Sequence, residues 1–321
     1  MPSSHAAGES ILPSDPRLQS PDPEVRRIAV LQIADEADPD QAPLLVAALR
    51  DPAAAVRAAA AEGLLGIETG EAVAGLAALL DDADAEARAA AAHTLSELKQ
   101  PASAAWLLPF ASDGPAHVRA AVLRALRELR VADAAAPALD ALATPDAALR
   151  REAVGVLGYL RHAPALPALA ALATADPADE VRRAAVGALA FATGDAAAAA
   201  AVQAALADAA WAVREEAATA LGKLAEPRAG DALVRSLDDA YWQVRLRAAR
   251  SLGRLRFAAA VPALLRALDH TISNLRKEAA LALGEIGNPA ALPALERAAQ
   301  DPDPEVRKLA RLAIGQLGIG K

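Results

Sequence analysis

A chain of 321 residues with 54% hydrophobic but only 2% aromatic residues has a core built largely of alanine, which is long and thin rather than round. The net charge of −8, from 33 basic and 41 acidic residues, disfavours nucleic acid as the main partner. With no cysteine, disulfides and thiolate metal sites are excluded.

Residues 1–20 lack a basic start followed by an apolar run, so they read as a loosely ordered leader and not as a signal peptide. From residue 21 onward a Val-Arg-type dipeptide recurs: Val25-Arg26, Val56-Arg57, Ala87-Arg88, Val118-Arg119, Leu149-Arg150, Val181-Arg182, Val213-Arg214, Val244-Arg245, Leu275-Arg276 and Val306-Arg307. The steps are 31 residues, with two of 32 between 149 and 213. With the apolar member as position zero, position +4 is Ala in nine copies and Val122 in the other, and position +8 is always Leu or Ile. Position +11 is mostly Leu or Ile, so 0, +4, +8 and +11 form one stripe of an amphipathic helix, the second helix of each unit.

Another helical stretch precedes each second helix, often with proline in its first turn, where no N–H partner is lost: Pro43, Pro167, Pro262 and Pro293. Asp22-Pro23 and Asp303-Pro304 read as N-cap and first residue of the following helix. A helix pair of this kind buries its stripe only by stacking on its neighbours. At roughly 8–10 Å per helix layer, ten layers would extend on the order of 90 Å. The expected organisation over 21–321 is a single right-handed all-α solenoid of antiparallel helix pairs, an unpaired second helix followed by nine complete pairs. The longest uncharged stretch, about Ala163 to Ala175, is shorter than the roughly 18 residues a membrane span requires, so a cytoplasmic protein is expected.

The pattern Asp-x4-Val-Arg-x2-Ala-x3-Leu-Gly, clearest in Asp208–Gly222, Asp239–Gly253 and Asp301–Gly315, resembles HEAT repeats of the short kind named after phycobilisome lyases. The resemblance spans about residues 20–318 and is far more specific for fold than for function. Deoxyhypusine hydroxylase has a similar architecture, and that likeness implies two irons held by His-Glu steps on inner helices. At the equivalent +2 and +3 positions stand Arg151-Glu152, Glu215-Glu216 and Lys277-Glu278, without histidine. His5, His93, His117, His162 and His270 are scattered over different repeats and helix positions, so no metal or cofactor is expected. No serine stands in a strand-turn-helix setting with a histidine partner, and no catalytic residue is assigned.

Aspartate stands five positions before position zero in seven copies (51, 82, 113, 176, 208, 239 and 301), which with the repeated arginine predicts a structural ladder between neighbouring repeats. The glycines at +9 (158, 222, 253, 284 and 315) predict close helix packing. The stretch 241–257 departs from the alanine-rich background. Arg247, Arg250 and Arg254 share a helix face that the family likeness places on the concave surface, and Trp211 and Trp242 sit at −2 beside Tyr241. Aromatics beside arginines are typical of binding hot spots. Pairing within columns places Arg247 between Glu216 and Glu278 and Arg254 beside Lys223 and Glu285, whereas Arg250, between Thr219 and Leu281, has no evident partner. Ile28, Leu31, Leu309 and Leu312 put apolar residues on the terminal repeats. They are expected to act as caps, with Ile11, Leu12 and Leu18 of the leader folding over the first helix, or as a self-association surface.

These observations predict a non-catalytic scaffold or adaptor that binds another protein at Trp211, Tyr241, Trp242, Arg247, Arg250 and Arg254, a site that an acidic segment of that partner would fit. The alternative is an accessory or lyase-like factor for a pigment- or cofactor-bearing protein. A helical-repeat DNA glycosylase is disfavoured by the net acidity.

Overall fold

The computed structural model describes residues 15–36 and 39–318, of which no residue is in a strand. Of the expected leader, residues 1–14, including Ile11 and Leu12, lie outside the described residues, and Pro16–Gln19 form one 3-10 turn packed on the first helix. Residues 1–156 and 157–321 are two compact units.

In the first unit the helices are α1 (Pro23–Glu36), α2 (Ala42–Ala48), α3 (Ala54–Gly63), α4 (Gly70–Leu79), α5 (Ala85–Ser96), α6 (Ala104–Ser112), α7 (Ala116–Leu129) and α8 (Ala135–Ala141). The division between the units falls within α9 (Ala147–Tyr159). In the second unit they are α10 (Leu166–Ala175), α11 (Asp179–Leu189), α12 (Ala196–Ala204), α13 (Trp211–Leu224), α14 (Gly230–Ser236), α15 (Trp242–Arg254), α16 (Val261–Ala267), α17 (Ser273–Ile286), α18 (Leu292–Ala298) and α19 (Pro304–Gly318). Each unit has two layers. The second helices pack in series, α1 on α3, α5 and α7, and α11 on α13, α15, α17 and α19, while the first helices α2, α4, α6, α10, α12, α14, α16 and α18 each pack on the second helix that follows. This is an all-α solenoid.

The expected stripe is the core. Every residue at +4, from Ala29 to Ala310, is completely buried, as are most at zero and +8. The first helices add a column of their own, Leu45, Leu76, Leu107, Leu169, Leu233, Leu264 and Leu295, all buried. Asp22 and Asp303 accept backbone N–H bonds from Glu24 and Glu305 at 2.9 and 2.8 Å, so both cap their helices as their sequence predicts.

The +9 glycines set how closely the second helices approach. A Cβ on Gly158, Gly222, Gly253 or Gly284 would fall 2.8–3.1 Å from the backbone Cα of the +7 residue in the next second helix (Ala188, Ser251, Ala282 and Ala313). At this approach the Thr94 and Ser251 hydroxyls, both at +7, donate across the interface to the carbonyls of Ala61 and Ala218 at 2.8 and 2.6 Å.

The ladder is present and does more than the sequence predicts. In Arg57, Nη1 donates to the carbonyls of Asp51 and Pro52 in its own turn, while Nε and Nη2 grip both oxygens of Asp82 in the next repeat at 2.7 Å. Arg26–Asp51, Arg182–Asp208, Arg214–Asp239 and Arg276–Asp301 repeat this clamp at 2.7 Å. The hydrogen-bonded guanidinium holds the carboxyls of Asp51, Asp82, Asp208 and Asp301 below their ordinary range.

One rung differs. His270 replaces aspartate, accepting at Nδ1 from the Ile272 N–H at 3.0 Å while Nε2 lies 3.2 Å from Arg245 Nη1. A neutral imidazole offers one acceptor nitrogen, so it cannot satisfy both donors. Partial burial first, then the charges of Arg245 and Arg276, push the His270 pKa down.

Gly284→Ala gains helix propensity but collides with the Ala313 backbone, and should lower stability by about 1–3 kcal/mol in urea unfolding. Gly315→Ala, at the same repeat position with nothing within 4 Å, should raise it by up to about 1 kcal/mol. His270→Asp should complete the rung and add about 1 kcal/mol at neutral pH. Because the folded state lowers the His270 pKa, the unfolded chain binds the extra proton. That contribution is therefore full above the ordinary value of about 6.5 and lost as pH falls toward the folded value. The urea midpoint of the wild type should thus drop more than that of His270→Asp between pH 7 and pH 5.5, and parallel curves would contradict the assignment.

Candidate functional site

In the second unit Trp211, Tyr241 and Trp242 stand at the N-terminal ends of α13 and α15. The Trp211 and Tyr241 rings stack with centroids 5.4 Å apart and planes 14° off parallel. The Arg214 guanidinium lies 5.7 Å from the Tyr241 centroid while it clamps Asp239, whose Oδ1 also accepts the Tyr241 N–H at 2.9 Å. The ladder thus holds the Tyr241 backbone in place, and its ring remains 45% exposed. Trp211 therefore pairs with Tyr241, not with its repeat counterpart Trp242, which is half-buried at the start of α15.

The arginines form a separate group. Arg214 stands at +1 and Arg247, Arg250 and Arg254 at +3, +6 and +10; at about 100° per residue these fall on opposite sides of the buried stripe. The column pairing expected from sequence is incorrect for Arg247 and Arg250. Arg250 is not without a partner: its Nε lies 3.0 Å from both oxygens of Glu278 and its Nη2 2.6 Å from Oε1. Arg247 bonds Glu215 at 3.0 Å rather than Glu216 or Glu278. Helical side chains slant toward the N-terminus, so a long Arg at +6 reaches back about one turn, to the level of +3 on the next helix. Arg254 is exposed and, with Arg250, Glu278 and Glu285, lines a hollow of about 160 Å³. Burial, and next the Glu278 carboxylate, push the Glu285 pKa up.

The same diagonal recurs in the first unit, where sequence reasoning assigned no site. Arg124, also at +6, bonds Glu152 at 3.0 Å, 28 residues on, the spacing that separates Arg250 from Glu278. That spacing was the available signal. Arg151 and Arg127 converge on the same carboxylate.

A feature without a sequence signal is Trp106. It is 52% exposed and lies across Gly70 so closely that a Cβ there would meet the ring at 2.4 Å. With Leu49, Ala74, Gly75 and Ala78 it bounds a groove of about 730 Å³. On the terminal repeats Ile28 and Leu312 are exposed, and Leu31 and Leu309 half-buried. Among the described residues no three His, Cys, Asp or Glu side chains converge as a metal site requires, and no helix is long and apolar enough to cross a membrane.

The family of HEAT repeats matches residues 16–96, 42–127, 104–190, 166–244 and 231–315. No curated protein compared with the chain matches it. Among solved structures, an engineered protein is 23% identical over 94% of this chain and 97% of its own, with a TM-score of 0.53. YibA of Escherichia coli is 18% identical over 91% and 97%, with a TM-score of 0.55. Both likenesses concern the fold. Human deoxyhypusine hydroxylase, in complex with glycerol, is 27% identical over 80% and 99%, but its TM-score of 0.35 is too low to bear on function. With matches running from residue 16 to residue 315, the chain belongs to the HEAT-repeat family.

Proposed function

We propose that this protein is a non-catalytic, cytoplasmic scaffold or adaptor of the short, phycobilisome-lyase-like repeat type that binds another protein. The observation that carries this reading is the Tyr241 ring, 45% exposed yet fixed by Trp211, Arg214 and Asp239. A rigid, half-exposed aromatic loses little freedom when a partner covers it, which is how hot-spot residues contribute affinity. Trp242 extends the patch along α15, and Arg247, Arg250 and Arg254 supply a charged face for an acidic segment of the partner. Because Arg250 holds the buried Glu278, it acts through this pairing rather than as a free cation.

The 31-residue step supports the short repeat type. The terminal Ile28 and Leu312 are positioned for self-association. The second reading, an accessory factor for a pigment- or cofactor-bearing protein, draws on the groove beside Trp106, whose roughly 730 Å³ lies in the range of small-molecule sites.

Affinity capture from native lysate with the wild-type chain and a Tyr241→Ala/Arg254→Ala variant in parallel tests the first reading. Neither substitution unpairs a buried group, so a partner held by the wild type should be retained at least about tenfold less by the variant. Equal retention would move the site elsewhere, and no specific capture would overturn the scaffold reading. A bilin added to the pure protein should leave its absorbance spectrum unchanged; a shift would favour the second reading.

A further inference from the structure

We infer that Arg124, Arg127 and Arg151, gathered around Glu152, form a binding site for carboxylate side chains of an acidic peptide segment. The identity of that segment as part of a partner protein rests on the scaffold reading. The two units share one kind of rung. In the second unit Arg250 meets Glu278 alone, with three contacts of 2.6–3.0 Å, so one guanidinium serves one carboxylate. In the first unit Arg124 makes the equivalent rung with Glu152, and two further guanidiniums join it. Arg151 Nη2 reaches the same Oε1 at 2.8 Å, and Arg127 Nη1 approaches Oε2 at 3.5 Å while bonding Glu128 at 3.1 Å. The repeat positions that supply Arg151 and Arg127 hold Lys277 and Gly253 in the second unit.

This arrangement is unbalanced. Three cations face two carboxylates, and the central one, Glu152, is 4% exposed. The arginine side chains are 47%, 32% and 42% exposed. Each guanidinium has five N–H donors, whereas a carboxylate offers about four acceptor positions, so most donors of the cluster point to water. Arg124 and Arg151 also bring like charges onto a single oxygen, which a second anion would relieve. Arg127 packs against α9 at Gly155, where a Cβ would lie 3.3 Å from Nη1.

The charge selects the ligand. A surplus of one positive charge suits a carboxylate, which also matches the planar fork of guanidinium donors. A phosphate dianion would bring a second negative charge toward Glu152 and Glu128.

The test is fluorescence anisotropy of labelled hexaglutamate on the full chain, in low salt. The variant Arg127→Gln/Arg151→Gln removes the two cations added to the shared rung and leaves the Arg124–Glu152 pair intact, with far-UV circular dichroism checking the fold. Wild type should bind hexaglutamate, the double variant at least about tenfold more weakly, and Tyr241→Ala as tightly as wild type. Equal affinity of wild type and double variant, or no binding to wild type at millimolar peptide, would overturn the site. Displacement of the peptide by equimolar inorganic phosphate would show an oxyanion site and overturn the acidic-segment assignment. A chain that captures a protein through Tyr241 but ignores hexaglutamate refutes this site alone. One that binds hexaglutamate here but captures no protein refutes the scaffold reading alone.

Discussion

The arginine at +1 is the interaction on which the repeat geometry rests. Its planar guanidinium serves two neighbouring turns at once: Nη1 satisfies carbonyls of its own turn, and Nε with Nη2 holds the aspartate of the next. That aspartate in turn accepts a backbone N–H of its own turn, as Asp51 does from Ala53 at 2.8 Å. Lysine, a point charge without a fork, could not bridge the two turns in this way. The turns would otherwise leave polar backbone groups half-buried and unpaired. Where it forms, the clamp also fixes the level at which one second helix meets the next, because the distance from one turn to its neighbour is set by a bidentate contact.

That register is what makes an alanine core workable. Alanine buries little area, so each helix interface gains stability only if the backbones approach closely. The completely buried +4 alanines and the +9 glycines against +7 backbones are two expressions of this approach. The Thr94 and Ser251 hydroxyls reach a neighbouring carbonyl only at such a spacing. Within each unit, stability is therefore spread over many similar interfaces and not concentrated in one large core. A single departure such as His270 is tolerated because the adjoining rungs are complete.

What could be read from the sequence was whatever repeats. The columns at zero, +4 and +8 appear once the period is known, and so do the ladder and the glycine contacts. The charge pairs on the +3, +6 and +10 face could not be read in the same way. Matching like positions left Arg250 unpartnered and gave Arg247 the wrong glutamates, because pairing by column ignores the slant of helical side chains and the reach of arginine. The 28-residue diagonal from Arg124 to Glu152 and from Arg250 to Glu278 would have disclosed the rule, since both pairs differ from the repeat period by the same amount. Trp106 had no such signal. Its first helix follows no column at that position, and its exposure depends on the absence of a side chain at Gly70, a contact between repeats.

The same distinction separates structural residues from candidate functional ones. A side chain that recurs at one position in repeat after repeat is accounted for by stacking, whatever its chemistry, as the Arg–Asp rungs are. Function in such a chain must reside in departures from the pattern that stacking does not require. Arg247 and Arg250 meet this criterion poorly, since each neutralises a carboxylate of an adjacent repeat. Tyr241 meets it better, because the ladder around it would close equally well without a ring. Arg127 and Arg151 meet it best. Glu152 already has its partner in Arg124, and with Arg127 and Arg151 three cations stand against the two carboxylates Glu128 and Glu152. Stacking does not require the third cation, whereas an incoming carboxylate would balance it.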